Sequence, residues 1–385
     1  AERLERGMSL ERGRLCPDSV ARLYGQRVPM SASRMDKYRS CHFSYFMQFG
    51  LKARPRQAAG FQAPEYGTFV HYVLEHILKD TAWKVEEGSG GWTWDRTIVR
   101  QQIHTIMETY IAQELGGLEN KTPRFIYLFH RLSRPVTQVV ENVLEELSVS
   151  QFQPISFELG FGDRGDLPPV ELTAAGITVS VSGFVDRVDG WVHDGRLYLR
   201  VVDYKTGRKS FDLTEVWNGL GLQMLLYLFT LEEKGESLYN YAITPAGAAV
   251  AKGSRIMTEE ERRKQTDAEL RRHGLLLDDP DVLEAMEAMG EHGPRFLPVK
   301  VSSRTGAITG EALVTAERLG RLKTHIQRIL MEIAGELSSG VIGADRKRMP
   351  ASTATMQPPA TLRMETGMTG EDTFHLLMAN TFGIL

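Results

Sequence analysis

Apolar positions recur at helical spacing in three stretches of the chain. In "PEYGTFVHYVLEHILKD", Phe69, Val70, Val73, Leu74, Ile77 and Leu78 form one stripe, which predicts a helix over 64–80. Residues 97–150 read as helical with breaks near Gly116-Gly117 and Pro123, and residues 311–337 read as a long amphipathic helix. Near residue 154 the pattern changes. "ISFELGFG", "ITVSVSGFVDRVDGWV" and "RLYLRVVDYKTG" are rich in β-branched and aromatic residues, as strands are. A second helix is predicted at about 213–233. Its "GLGLQMLLYLF" is apolar almost all round, so it belongs inside the protein. "LYNYAIT" reads as a short strand, 256–290 as charged and helical, and "LPVKVSS" as an edge strand. Ser31 or Ser33 caps a short helix carrying Met35, Tyr38 and Phe43.

This order of helices, meander and strand–helix–strand predicts an α/β domain with a mixed sheet flanked by helices. It occupies residues 29–342, with helical insertions at about 80–150 and 250–295. A polar lead-in (1–28) precedes it, and an irregular tail (343–385) follows.

Composition narrows the picture. A formal net charge of -3 over 385 residues confines any nucleic-acid contact to a local patch. Two cysteines, Cys16 and Cys41, exclude a disulfide framework and fit a reducing compartment. "AERLERGMSLERGRL" lacks the apolar core of a signal peptide, and no apolar run reaches transmembrane length, so the cytoplasm is the expected location. The chain starts with Ala rather than Met, as a piece of a longer chain would. "TGRKS" has the wrong spacing for a phosphate-binding loop, so no ATP site is expected.

The chemistry concentrates around one turn. Asp194-Gly195 is a strong two-residue hairpin signal between two apolar strands. If these two residues are the loop, His193 faces Arg196, and counting back along both strands puts Asp186 opposite Asp203. Directly opposed side chains have Cβ atoms roughly 5 Å apart, where two carboxylates repel unless a cation lies between them. Lys205, two residues past Asp203, points to the same face. Asp-x-Lys alone is common on solvated strands. Here Val185, Val188, Leu199, Val201, Val202 and Tyr204 surround the charges with apolar neighbours, where unpaired charge is costly. His71 sits at the edge of the first stripe with Gly67 before it and Glu75 after it, either as a ligand or as a histidine bonded to Glu75. Gln223 and Tyr227 share a helix face. A buried Gln needs a partner, either neighbouring backbone or Lys205, a water or a phosphate.

"GTFVH", "GFVDRVDG", "VVDYKTGRKSFDL" and "GLGLQMLLY", taken together, resemble the RecB-type branch of the PD-(D/E)XK nucleases. The resemblance is closer still to the C-terminal nuclease domain of the AddB family of helicase/deoxyribonuclease subunits, and it covers roughly residues 20–370. It implies a restriction-endonuclease-like core and a metal-dependent DNA exonuclease acting in double-strand break repair and recombination. His71, Asp186 and Asp203, with the backbone carbonyl of Tyr204, would be ligands to Mg2+, for which Mn2+ could substitute. Lys205 would be the catalytic lysine, and Gln223 and Tyr227 the downstream Gln-x-x-x-Tyr motif. Glu158 matches an acidic position without an assigned role. Implied partners are DNA (single strands or unwound duplex ends), a helicase of the AddA type and the N-terminal part of a longer chain. Arg54, Arg56, Arg208 and Lys209 are candidate phosphate contacts, although each alone reads as ordinary surface charge. Phe43, Tyr45 and Phe46 could stack on bases or equally be core.

One departure stands out. The family carries four cysteines around an iron–sulfur cluster. Cys41 fits the first, but the other three positions hold Thr355, Pro358 and Met364, so no cluster is expected. Three competing readings remain: a nuclease-like module that binds DNA without cutting it, a stand-alone RecB-like single-strand exonuclease, and a structural protein with salt-bridged acids.

Overall fold

A computed structural model describes residues 13–343, apart from 54–62, 87–91, 120, 206–210, 253–270, 290–292 and 303. Residues 344–385 of the expected tail, with the three lost cysteine positions, and Arg54, Arg56, Arg208 and Lys209 lie outside the described residues.

The expected α/β architecture is present. A six-stranded mixed sheet is made of β4 (Gln153–Phe161), β7 (Gly183–His193), β8 (Arg196–Lys205), β9 (Ala242–Lys252), β10 (His273–Leu277) and β13 (Leu313–Val314). Their order across the sheet is β13-β10-β9-β8-β7-β4. β8 lies inside the sheet, antiparallel to β7 and parallel to β9. A parallel neighbour requires a crossover. It is built by α6 (Leu213–Trp217) and α7 (Gln223–Lys234), of which α7 packs on β8 and β9.

Helices cover both faces. On one side α3 (Ala63–Lys79), α4 (Arg96–Gln113) and α5 (Pro123–Ser148) bury Phe69, Val73, Leu74, Ile77, Phe129 and Val140 against Val202, Tyr204, Ala249 and Ala251. On the other side, α7 and α9 (Ala316–Ser338) bury Leu225, Leu228, Ile326 and Ile333 with Val188, Leu199 and Val201. A small sheet of β1 (Arg27–Met30), β6 (Ile177–Val181) and β5 (Val170–Ala174) also packs on α9.

Several predicted boundaries shift. The lead-in contributes α1 (Pro17–Tyr24) and β1, and its Val20 and Val28 are core residues. Ser31, not Ser33, caps α2 (Ala32–Ser40), its hydroxyl accepting from Arg34 N–H. Tyr45 is buried among Tyr24, Tyr38 and Phe49, which removes it as a stacking platform. "ITVSVSGFVDRVDGWV" breaks at Ser182, so β6 and β7 serve different sheets. The second predicted helix is two, because Gly219 and Gly221 adopt positive φ (81° and 63°) between α6 and α7. "LYNYAIT" lies mostly before its strand, with Leu238 and Tyr239 in a short helix. Within the stretch read as a charged helical insertion, His273–Leu277 is a sheet strand whose Leu275 and Leu276 are buried. The scattered charges around it hid a five-residue strand.

A candidate active site on the β7–β8 hairpin

The turn forms as predicted. Asp194 (φ 48°) and Gly195 (φ 72°) both adopt positive φ, as a primed two-residue turn requires. The register runs from His193↔Arg196 to Arg187↔Val202, which leaves Asp186 and Asp203 at the next step. There a side chain takes over from the ladder, and Tyr204 N–H donates to Asp186 Oδ2 at 2.8 Å.

Two clusters lie on either side of this bond. In the first, α3 brings His71 Nδ1 to 3.6 Å from Asp186 Oδ1 and 3.9 Å from Glu158 Oε1. His71 Nε2–H donates to the Tyr204 carbonyl at 2.9 Å. With Nε2 engaged in this way, Nδ1 is the ring nitrogen that faces the two carboxylates. His71, Glu158 and Asp186 each offer a ligand atom, all within 4.8 Å of one another. The bond to Glu75 considered for His71 is not made; Glu75 pairs with Lys79 instead.

In the second cluster, Lys205 Nζ lies 2.9 Å from each Asp203 carboxylate oxygen and donates to Gln223 Oε1 at 3.2 Å. Gln223 Nε2–H donates back to Asp203 Oδ1 at 3.0 Å. Both ends of the amide are therefore used, which fixes its orientation. The Tyr227 hydroxyl bonds the Gln223 side chain and the Phe184 backbone. A Cβ at Gly183 would sit 2.7 Å from that hydroxyl, so only glycine admits Tyr227 here.

The grouping divides the expected ligands between the two clusters. Asp203, counted as the third ligand beside Asp186, faces Lys205 and Gln223, because two donors reach it from β8 and α7. The second carboxylate beside His71 and Asp186 is Glu158. It is brought there by a change of face in β4. Phe157 packs with the α3–α5 core and Leu159 with the α7–α9 core, although residues two apart in a regular strand share a face. Glu158 between them has φ 46°, a strained value for a non-glycine residue and one often found at functional sites. Neighbouring pairs Phe157↔Arg187 and Leu159↔Val185 put Glu158 beside Asp186. The sequence could not show this, because β5 and β6 intervene and the β4–β7 register is not set by a short turn.

The electrostatics match the crowding. Burial, then Asp203, pushes the Asp186 carboxyl up to about 7. Burial, then Asp186, pushes Glu158 up to about 7, with His71 opposing. Burial and Asp203 raise the Tyr227 hydroxyl. Two carboxylates and an imidazole suit a divalent cation such as Mg2+ or Mn2+, which would offset the burial and the repulsion that raise both acids.

A family model described as the PD-(D/E)XK nuclease superfamily matches residues 29–336, and the chain belongs to that superfamily. Among individual proteins it is similar to the B subunit of the ATP-dependent helicase/deoxyribonuclease of Acetivibrio thermocellus. The two are 30% identical over 346 residues, covering 88% of this chain and 30% of that protein. The protein of the same name from Caldanaerobacter subterraneus subsp. tengcongensis is 30% identical over 373 residues, covering 93% of this chain and 32% of that protein. The Clostridium acetobutylicum protein of that name is 29% identical over 334 residues, covering 84% and 28%. The chain thus spans about 30% of the length of the curated relatives it matches.

Proposed function

We propose that this chain is the nuclease portion of an AddB-type helicase/deoxyribonuclease subunit and hydrolyses DNA phosphodiester bonds with Mg2+, or with Mn2+ in its place. The observation that carries this is the gathering of His71, Glu158 and Asp186 beside the Asp203–Lys205–Gln223 cluster around one hairpin. His71, Glu158 and Asp186 would hold the ion, with Asp203 and the Tyr204 carbonyl bordering it. When bound, the ion supplies a water of lowered pKa and offsets charge on the phosphoryl oxygens.

The chain's own groups do the rest. Asp203 and Gln223 hold the Lys205 amine in one place, so it meets the attacking water or the developing negative charge without reorganising. Tyr227 braces Gln223. Phe184, two residues before Asp186, is 63% exposed and can stack on an unpaired base. Arg54, Arg56, Arg208 and Lys209 remain candidate backbone contacts.

The relatives' name pairs helicase and deoxyribonuclease, which supports unwound DNA as substrate and an AddA-type helicase as partner, with a role in break repair and recombination. No helix among the described residues is long and apolar enough to cross a membrane, and two cysteines are too few for a disulfide framework. Both suit work in the cytoplasm. The test is cleavage of end-labelled single-stranded DNA with Mg2+ by the wild type, Asp203→Ala and Lys205→Ala. Product from the wild type alone supports the proposal. Equal product from all three rejects it.

A further inference from the structure

We propose that the Tyr204 hydroxyl, gripped by the buried Arg187, is a positioning device that sets the geometry of the cation site; this rests on the nuclease reading above. Tyr204 contacts two candidate ligands through separate atoms. Its N–H donates to Asp186 Oδ2 at 2.8 Å, and its carbonyl accepts from His71 Nε2–H at 2.9 Å. Its ring also meets the His71 ring edge-on, with centroids 5.8 Å apart. Any shift of Tyr204 therefore moves His71 and Asp186 together.

What fixes Tyr204 lies at the far end of its side chain. Arg187 Nη1–H donates to the Tyr204 hydroxyl at 2.7 Å, and the guanidinium carbon stands 5.5 Å from the ring centre. Arg187 is fully buried and cannot swing. Asp189 holds it through both carboxylate oxygens at 2.8 and 3.0 Å, with Glu146 at 3.7 Å. Asp189 is shared with Arg200 at 2.8 Å. Glu146 is shared with Arg200 at 3.0 Å and with Arg272 at 2.8 Å. The anchor thus spans α5, β7, β8 and Arg272, just before β10.

A buried ion network is a poor route to stability, because desolvation offsets most of the Coulombic gain. What it supplies well is a single orientation. A phenylalanine at 204 would fill nearly the same volume and join the same aromatic contacts. The hydroxyl adds only the bond to Arg187, and outer-shell bonds of this kind typically change metal affinity by about 10–100-fold.

The experiment compares this chain with its Tyr204→Phe variant by calorimetric titration with Mn2+, alongside the Mn2+ concentration that half-activates DNA cleavage. The expected result is a Mn2+ Kd weakened by about tenfold or more, with the half-activating concentration raised by the same factor. The number of Mn2+ ions bound per chain should stay that of the wild type, which a loss of folded protein would not allow. Arg187→Lys keeps the buried charge but cannot reach Asp189 and the hydroxyl together. It should give the same Kd shift from the other end of the bond, and it serves where Tyr204→Phe fails to fold. Wild-type binding with an unchanged Kd in a folded variant overturns this inference alone. A wild-type chain that binds no Mn2+ overturns the nuclease reading and this inference with it.

Discussion

The network of Arg187, Asp189, Arg200, Arg272 and Glu146 and the cluster of His71, Glu158 and Asp186 both touch Tyr204, one at its hydroxyl and the other at its backbone. They treat charge in opposite ways. In the network three guanidiniums share two carboxylates, all of them buried. Burial alone would raise the Glu146 carboxyl, but Arg272, Arg200 and Arg187 hold it well below the usual carboxylate range. In the cluster carboxylates sit beside one another, and burial raises both, with repulsion from Asp203 adding to Asp186 and from Asp186 to Glu158. In a group of charges that exists for shape, every carboxylate is flanked by opposite charge. One that exists to take up a cation is left negative.

The sharpest way to break this contrast is to neutralise one acid in each. Asp186→Asn should lower DNA cleavage by about 10³-fold or more, since it removes a ligand to the ion that carries the charge stabilisation. The same variant without metal should melt at or above the wild-type temperature, because a repelling charge has gone. Glu146→Gln should do the reverse. Removing one partner of a buried ionic group typically costs about 3–5 kcal/mol, read as a lower denaturant midpoint. The folded fraction should still bind Mn2+. An Asp186→Asn protein that unfolds, or a Glu146→Gln protein as stable as wild type, would put the two clusters on the same footing.

Lys205→Ala should reduce the rate at saturating metal by about 10²–10³-fold while leaving the Mn2+ Kd within a few-fold of wild type. A Kd that weakens as much as the rate would move Lys205 into the binding of the ion.

The smallest effect is a pH dependence. Asp186 and Glu158 have folded-state pKa values of about 7, above their ordinary 3.8 and 4.5. Between these limits the folded protein binds more protons than the unfolded chain. Their contribution to stability is therefore fully present below about pH 4 and is lost as pH rises through 7. Metal-free protein should lose stability over that window, by thermal melts at matched ionic strength. Added Mn2+ should flatten the slope, and Mn2+ affinity should fall as pH drops below about 7, because protons compete for the ligands.

The stripe of α3, the Asp194-Gly195 turn, the β7–β8 register and the placing of Lys205 on the face of Asp203 were all legible in the sequence. So, as one of two alternatives, was the partnership of Gln223 with Lys205. Most of these rest on contacts between residues close in the chain or on a periodicity that one segment carries by itself.

Which acids share a site was decided elsewhere. Glu158 reaches Asp186 through a strand pairing separated by the β5–β6 excursion, and through a backbone twist at φ 46° that no local pattern announces. The network behind Tyr204 joins residues up to 126 positions apart. In the sequence its arginines look like any surface charge. Periodicity fixes which way a side chain points within its own element. Only the packing of one element on another decides which charges it must face, and at what separation they raise or quench each other.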